Sequence, residues 1–405
     1  MKSTFIAGLL LLLIVPLAFA QGSIPERLLL STGQYVGTGA RPLGMGGTYT
    51  GIADDYTAAW WNPAGLAQVK RIELQGSLSR TGYSNSTNYF GGTRTGSTSG
   101  IRLNNAGLVF PVPVYQGALS FAFGYNQLTS FDRRTRIVSQ TAGSYWDNFD
   151  ELEGGRLGMW SFDGAMDVSP NLALGLGLNY FSGSDDYSLT GSYTVSGTPY
   201  YSQQQINTSL SGWGANFGAL LRLGRYGRAG LMIQTPVIFN LSEDHAIDSS
   251  SGSFDYKMYY PAVFRLGGSF APGRWLLAAD VEYRDWTSLE FRSDTPFEGV
   301  TQAEANQQIK DTYQGTTRLS VGGEYLFPAY GLRARAGYAF EPSAYQKAGS
   351  KADRNLFSLG LGILVDKSVM FDAAVQFTNY TENITPGLTE KIKANNALLT
   401  VSYRM

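Results

Sequence analysis

The feature that most constrains this chain is a period-two alternation, repeated in segment after segment from about residue 72 to the C-terminus. Leu172, Leu174, Leu176, Leu178 and Tyr180 fall on one face of an extended chain, and Ala173, Gly175, Gly177 and Asn179 fall on the other. The pattern recurs in Leu119, Phe121, Phe123 and Tyr125, in Phe357, Leu359, Leu361, Ile363 and Val365, and in Val369, Phe371, Val375 and Phe377. A helix would scatter these residues around its surface, whereas a strand gathers them on one side. Repeated alternating segments of roughly ten residues are the signature of a transmembrane β-barrel, apolar towards lipid and small or polar towards the lumen.

Alternation of this kind averages hydropathy to nearly nothing, and the mean hydropathy is -0.13. Past the N-terminal region no run of about 18 apolar residues occurs, which excludes helical membrane spans. The 49 Gly, 25 Tyr and 22 Phe suit a barrel wall and its aromatic girdles. Charged residues make up 16%, below the roughly 25% usual for soluble domains. There are 0 Cys, so stability must come from strand closure rather than disulfides. A net charge of -1 offers no field to recruit nucleic acid.

The chain opens with Lys2, an apolar run from Phe5 to Leu17, and Ala18-Phe19-Ala20 before Gln21. This reads as a secretory signal peptide over residues 1–20, too short to serve as a spanning helix. Export and barrel pattern together place the protein in the outer membrane of a Gram-negative-type cell.

Strands are expected at about 72–83, 100–111, 116–129, 156–168, 171–183, 206–223, 226–239, 256–270, 274–291, 313–327, 330–342, 354–366, 368–381 and 391–404. The predicted fold is an all-β, antiparallel barrel of about 14 strands, even-numbered as bacterial single-chain barrels are. Tight turns near Pro170, Gly224, Pro272, Pro328 and Lys367 alternate with long polar connections at 84–99, 130–155, 184–205, 240–255, 292–312, 343–353 and 382–390. Short turns face the periplasm and long ones face outside. The lumen of such a barrel is too wide for wall side chains alone to fill. Residues 21–71, glycine-rich and carrying Trp60, Trp61 and Leu66, are the expected plug, and 72–405 the barrel.

Inward positions of the later strands carry charge: Asp280, Glu282 and Arg284 on one face, then Arg318 and Glu324, Arg333 and Arg335, and Asp372. A charge facing lipid costs about 2–4 kcal/mol at the midplane, so these point inward, as a polar network that holds the plug or braces the wall or, alternatively, as direct substrate contacts. Tyr259, Tyr260, Trp275, Trp286, Tyr338 and Tyr380 are expected as girdle anchors, with substrate contact as the alternative. No catalytic, metal or cofactor constellation stands out. The sole histidine, His245, lies in an outer connection with no nucleophile in view. Asp54-Asp55 lacks a third ligand and suits a capped turn or a plug contact. Gly44, Gly46 and Gly47 lack the Gly-Lys-Ser/Thr of a phosphate loop and mark tight turns.

Two regions resemble a known family. The stretch Gly39-Ala40-Arg41-Pro42-Leu43-Gly44-Met45-Gly46-Gly47, with Ile52-Ala53-Asp54-Asp55 and Trp61-Asn62-Pro63-Ala64-Gly65-Leu66, resembles the hatch of FadL-type outer-membrane transporters. Ser211-Gly212-Trp213-Gly214, Arg265-Leu266-Gly267-Gly268 running into Ala278-Ala279-Asp280-Val281, Asp285-Trp286-Thr287-Ser288 and Arg335-Ala336-Gly337-Tyr338 look like its later strands.

The resemblance implies a monomeric fourteen-stranded barrel plugged by an N-terminal hatch. It implies passive uptake of hydrophobic molecules such as long-chain fatty acids or hydrocarbons, with sideways release into the membrane at an inward kink of the third strand. Carried over, Asn62, Pro63 and Ala64 form the hatch motif whose shift opens the path, with Gly44, Gly46, Gly47, Asp54 and Asp55 in the same segment. The kink falls within 117–128, with Gly124 the residue that relaxes pairing most cheaply. The Gly-Met-Gly-Gly and Ala-Asp-Asp pattern also resembles PorV-like relatives, which would make a secreted protein the partner instead.

Overall fold

The computed structural model describes residues 33–405 except 142–143, 298 and 386. The expected signal peptide at 1–20 and the plug residues 21–32 lie outside the described residues.

Among the described residues, fourteen antiparallel strands close into a barrel around the segment that precedes them. They are β1 Glu73–Tyr89, β2 Gly92–Val112, β3 Leu119–Ser130 with its continuation Arg133–Val138, β4 Asn148–Ser169, β5 Leu172–Val195, β6 Thr198–Leu223 and β7 Gly227–Gln234 continued by Val237–Ile247. There follow β8 Ser250–Tyr260 continued by Val263–Phe270, β9 Trp275–Asp285 with the short extension Glu290–Phe291, β10 Gly315–Phe327, β11 Leu332–Glu341, β12 Arg354–Asp366, β13 Val369–Thr385 and β14 Leu388–Arg404. Pairing of β14 with β1, from Leu388↔Tyr89 to Arg404↔Glu73, removes both sheet edges.

The alternation has the predicted polarity. Leu174, Leu176, Leu178, Phe357, Leu359, Leu361, Phe371 and Phe377 are exposed towards lipid, whereas Ala173 and Asn179 are fully buried. The periplasmic turns match the tight ones read from sequence. The outer connections differ: β1–β2, β5–β6, β7–β8 and β13–β14 are strand nearly to their tips. Outside the membrane neither face needs to be apolar, so the residues there lose the alternation while the backbone ladder continues. Phe90-Gly91 and Ser196-Gly197 both take positive φ (40° and 85°, 51° and 83°), the mark of a type I′ hairpin turn. The connection between β9 and β10 instead carries a helix, Gln302–Thr312, opened by a Thr301–Glu304 capping box.

The third strand is irregular. It pairs with β2 only from Asn105↔Asn126 to Val112↔Leu119. Its register against β4 slips between Gln127 and Thr129, and the strand breaks before Arg133. Gly124 stays in register, opposite Gly107 and Ser161; the departure begins three residues further on. The continuation pairs with β4 while lying across the inner side of the β1–β2 hairpin, where Asn85 donates to the Arg134 carbonyl at 3.0 Å. Gly92 and Gly96 make this possible, since a Cβ there would fall 1.9 Å from the Val138 carbonyl oxygen and 2.2 Å from that of Arg134.

Candidate functional site

Inside the barrel, the hatch begins with a two-residue strand, Gln34–Tyr35, paired with Ser130 and Thr129 where β3 has left β2. Two short helices follow, α1 Ala40–Gly44 and α2 Ala58–Trp61, and then a 3-10 turn, Pro63–Gln68. Gly46 and Gly47 adopt φ 73° and 77° and turn the chain back after α1. Asn62 caps the 3-10 turn by accepting from Ala64 N–H at 3.2 Å, and Pro63 occupies the first turn, where a missing N–H costs nothing.

The hatch meets the wall at glycines that face each other on neighbouring strands. A Cβ on Gly175 would lie 2.3 Å from Ala64 N, and one on its partner Gly218 would lie 2.3 Å from Asn62 Oδ1. Paired Gly322 and Gly337 admit Met45 and Gly46, paired Gly107 and Gly124 admit the Tyr56 ring, and paired Gly230 and Gly267 admit Thr50. Gly44 stacks on Gly360, where a Cβ would sit 3.0 Å from the opposing Cα. Backbone therefore packs on backbone around the lumen. Asn62 is fully buried and bridges the two parts, donating to the Thr50 carbonyl (2.9 Å) and to that of Ala219 in β6 (3.0 Å).

The inward charges divide between two places. Asp280 accepts from the amides of Tyr49 (2.9 Å) and Thr50 (2.8 Å). Glu324 takes Arg41 Nε at 3.0 Å and Arg335 Nε at 2.7 Å, and Arg335 continues to Asp372 at 2.6 Å. Arg318 donates to the Gly46 carbonyl at 3.1 Å. Arg333 stands at the edge of this group, 3.6 Å from Glu324. Glu282 and Arg284 line a cavity that also borders the hatch.

Within the hatch, Arg41 pairs with Asp54, and the Tyr49 hydroxyl lies 2.8 Å from Asp55 Oδ2. Burial opposes ionisation of Asp54, but Arg41, Arg228 and Arg404 outweigh it and hold its carboxyl below the ordinary value. Burial, reinforced by Asp54, pushes Asp55 the other way. Asp55 also closes its own turn, accepting from Thr57 N–H at 2.9 Å.

Sequence reading missed three wall residues that hold the hatch. Arg265 donates to the Trp60 carbonyl (3.2 Å), sits over the Trp60 ring (4.6 Å) and pairs with Glu282 (2.6 Å). Its parity with Gly267, opposite to lipid-facing Leu266, carried that signal. Glu73 accepts from Tyr56 N–H (2.8 Å) and pairs with Arg404, which donates to the Asp54 carbonyl (3.0 Å). No local pattern links residues that far apart in the chain.

Above the hatch is a cavity of about 140 Å³. Trp60, Leu128, Leu157, Phe181, Val237 and Phe239 form its apolar side, and Glu282, Arg284, Arg318, Glu341, Arg354 and Glu382 its polar side. The loop segment 342–345 roofs it, with Tyr345 stacked on Tyr313 at 5.2 Å. Three aromatics read as girdle anchors belong here or nearby: Tyr260 and Trp286 line the cavity, and Tyr380 lies under the Arg354 guanidinium at 4.7 Å. Tyr259 and Tyr260 are consecutive, so a strand can send only one of them outward. Trp275 is exposed on the outside, as a girdle residue is.

His245 sits 3.6 Å from Glu243 in the outer half of β7. Among the described residues no group of three or more His, Asp or Glu side chains is arranged to hold a metal.

Comparison with known proteins agrees with this geometry. A family model described as outer membrane protein transport protein (OMPP1/FadL/TodX) matches residues 34–404. No curated protein matches the chain. Among solved structures, a Pseudomonas aeruginosa FadL homologue superposes with TM-score 0.67 at 16% identity, covering 92% of this chain and 99% of that one. The P. putida toluene transporter TodX gives 0.66 at 17% identity, with 92% and 99% covered. The Ralstonia pickettii toluene transporter TbuX gives 0.63 at 15%, with the same coverage. Barrel, hatch and family match together place this chain in the OMPP1/FadL/TodX family of outer-membrane transport proteins, as a channel of the outer membrane and not an enzyme.

Proposed function

We propose that this channel admits small hydrophobic molecules of about the bulk of one aromatic ring, holds them in the cavity above the hatch, and releases them sideways into the membrane. The observation that carries the reading is the cavity itself. At about 140 Å³, with one wall of aromatic and aliphatic side chains, it is close to the roughly 150 Å³ apolar cavity that accepts benzene. The toluene transporters TodX and TbuX share the fold and point to the same class of cargo.

Lateral release follows from the chemistry of such cargo. An apolar molecule gains about 0.8 kcal/mol for each CH₂ it buries, so lipid is a better destination than a watery pore. The route is beside β2, whose edge from Gly92 to Asn104 has, among the described residues, no strand partner on the side that β3 has left. The hatch blocks the way straight down, and a shift of Asn62-Pro63-Ala64 off Gly175 and Gly218 opens the lumen beneath the cavity. No observation favours the secretion-partner alternative.

The test is saturation-transfer NMR with toluene and with palmitate on the detergent-solubilised protein and on Val237→Trp, which fills the cavity. Saturable transfer to toluene that the tryptophan abolishes supports the reading. Transfer that the tryptophan leaves intact, or none to toluene, overturns it.

A further inference from the structure

The cavity above the hatch has two sides, and they come from facing arcs of the barrel. Leu128 in β3, Leu157 in β4, Phe181 in β5 and Val237 and Phe239 in β7 present carbon to it. Across the lumen, Glu282 and Arg284 in β9, Arg318 in β10, Glu341 in β11, Arg354 in β12 and Glu382 in β13 present charge. A pure hydrocarbon leaves that second side unserved, because each polar group it covers loses water and gains no partner.

The charged side is loosely paired. Arg284 lies 3.7 Å from Glu282, Arg318 lies 3.6 Å from Glu341, and Arg354 lies 3.3 Å from Glu341 and 3.8 Å from Glu382. A full charge-assisted bond is shorter, about 2.7–2.9 Å. The hatch network reaches that range, with Arg335 at 2.7 Å from Glu324 and 2.6 Å from Asp372. Arg335 has 0% of its side-chain surface open, whereas the side chains of the cavity pairs keep between 9% and 25%. Hydrogen-bonding capacity therefore remains along this side of the cavity. The groups also form one connected arc. Glu341 and Arg354 are partners in register across β11 and β12, and the arc extends from Glu341 to Arg318 and from Arg354 to Glu382. A small substituent placed against it meets a donor and an acceptor together.

From this two-sided lining we infer that the preferred cargo is an uncharged monoaromatic carrying a hydroxyl group, of the phenol or benzylic alcohol class. Its ring lies against the β3–β7 side and its oxygen among the charges of β10 to β13. The inference rests on the cavity function proposed above and names the class of molecule the cavity prefers. A hydroxyl both donates and accepts, so it sits between a glutamate and an arginine without separating them. A carboxylate has no such place. Each of the three lining arginines already faces a glutamate, and an anion there meets the like charges of Glu282, Glu341 and Glu382 in a site sheltered from water.

The test is a saturation-transfer titration of the detergent-solubilised full chain at neutral pH with p-cresol, toluene and p-toluate. These share one ring and one methyl group and differ only in hydroxyl, hydrogen or carboxylate. p-Cresol is expected to bind about tenfold more tightly than toluene, the gain from about one hydrogen bond, and p-toluate most weakly. In Glu341→Gln, which removes one carboxylate and keeps the shape, p-toluate should gain on p-cresol. p-Cresol no tighter than toluene, or p-toluate the tightest of the three, overturns the inference while toluene binding keeps the cavity function standing. An unchanged ratio of p-toluate to p-cresol affinity in folded Glu341→Gln overturns it equally; the wild-type ranking decides without that variant. No saturable binding of any of the three would sink the cavity function, and this inference with it.

Discussion

Asp280→Ala removes the single carboxylate oxygen that receives the amides of both Tyr49 and Thr50, two residues with no exposed surface. Each buried donor left without an acceptor costs about 1–3 kcal/mol, so the docked hatch loses roughly 2–6 kcal/mol unless it lifts far enough for water to reach those amides. At about 1.4 kcal/mol per tenfold, even the lower figure moves the docked-to-lifted ratio by more than tenfold. Single-channel recording in planar bilayers measures this directly. Wild-type protein is expected to remain closed for long periods, Asp280→Ala to open frequently, and Asp280→Asn, which keeps an acceptor oxygen, to fall between. If Asp280→Ala records like wild type while its barrel melts at a lower temperature, the barrel has absorbed the cost, and the carboxylate is a wall brace rather than a hatch clamp.

The glycine contacts give a second test. Gly218→Ala drives a Cβ against Asn62 and Ala64 and is expected to cost about 1–3 kcal/mol by overpacking, read as faster proteolysis of the hatch; Gly76→Ala, with nothing within 4 Å, should leave it unchanged. Gly96→Val displaces the inner half of β3 from the β1–β2 hairpin and should slow uptake into proteoliposomes while toluene binding in detergent persists; normal uptake would detach the bent strand from release. Acidification should loosen the hatch through Asp54. Its docked pKa is depressed, so its contribution is complete above the ordinary value of about 3.9 and is lost as pH falls through the lower docked value. Asp55 works in the opposite sense, so hatch proteolysis against pH is best followed in Asp55→Asn, where no acid loosening would refute the Asp54–Arg41 role.

Much of this architecture was legible because a membrane enforces it. Where strands cross lipid, Leu174, Leu176 and Leu178 had to alternate with small residues, so the staves and their parity could be read directly. Above the membrane that constraint lapses, and residues 184–205 read as a loop although they are nearly all strand. The hatch segment and the inward charges were visible, yet their pairing was not, because Arg41 with Glu324 or Arg404 with Glu73 are neighbours only once the barrel has closed. The sequence marks Gly124 as the residue of β3 that relaxes pairing most cheaply. Its lack of a side chain instead accommodates Tyr56, and the strand turns away only beyond Gln127.

The hairpin of β5 and β6 is far longer than a bilayer needs. With 24 residues in β5, a rise of about 3.3 Å each and a tilt near 40°, it climbs roughly 60 Å along the barrel axis, against an apolar band roughly 25 Å tall. Because its lower turn is tight, nearly all the excess stands outside the cell, ending in Ser196-Gly197. A peptide grafted into that turn would touch neither the cavity nor the hatch. The same geometry that makes the strand so tall thus offers a display mast, on which an epitope could be presented to antibodies while transport continues below.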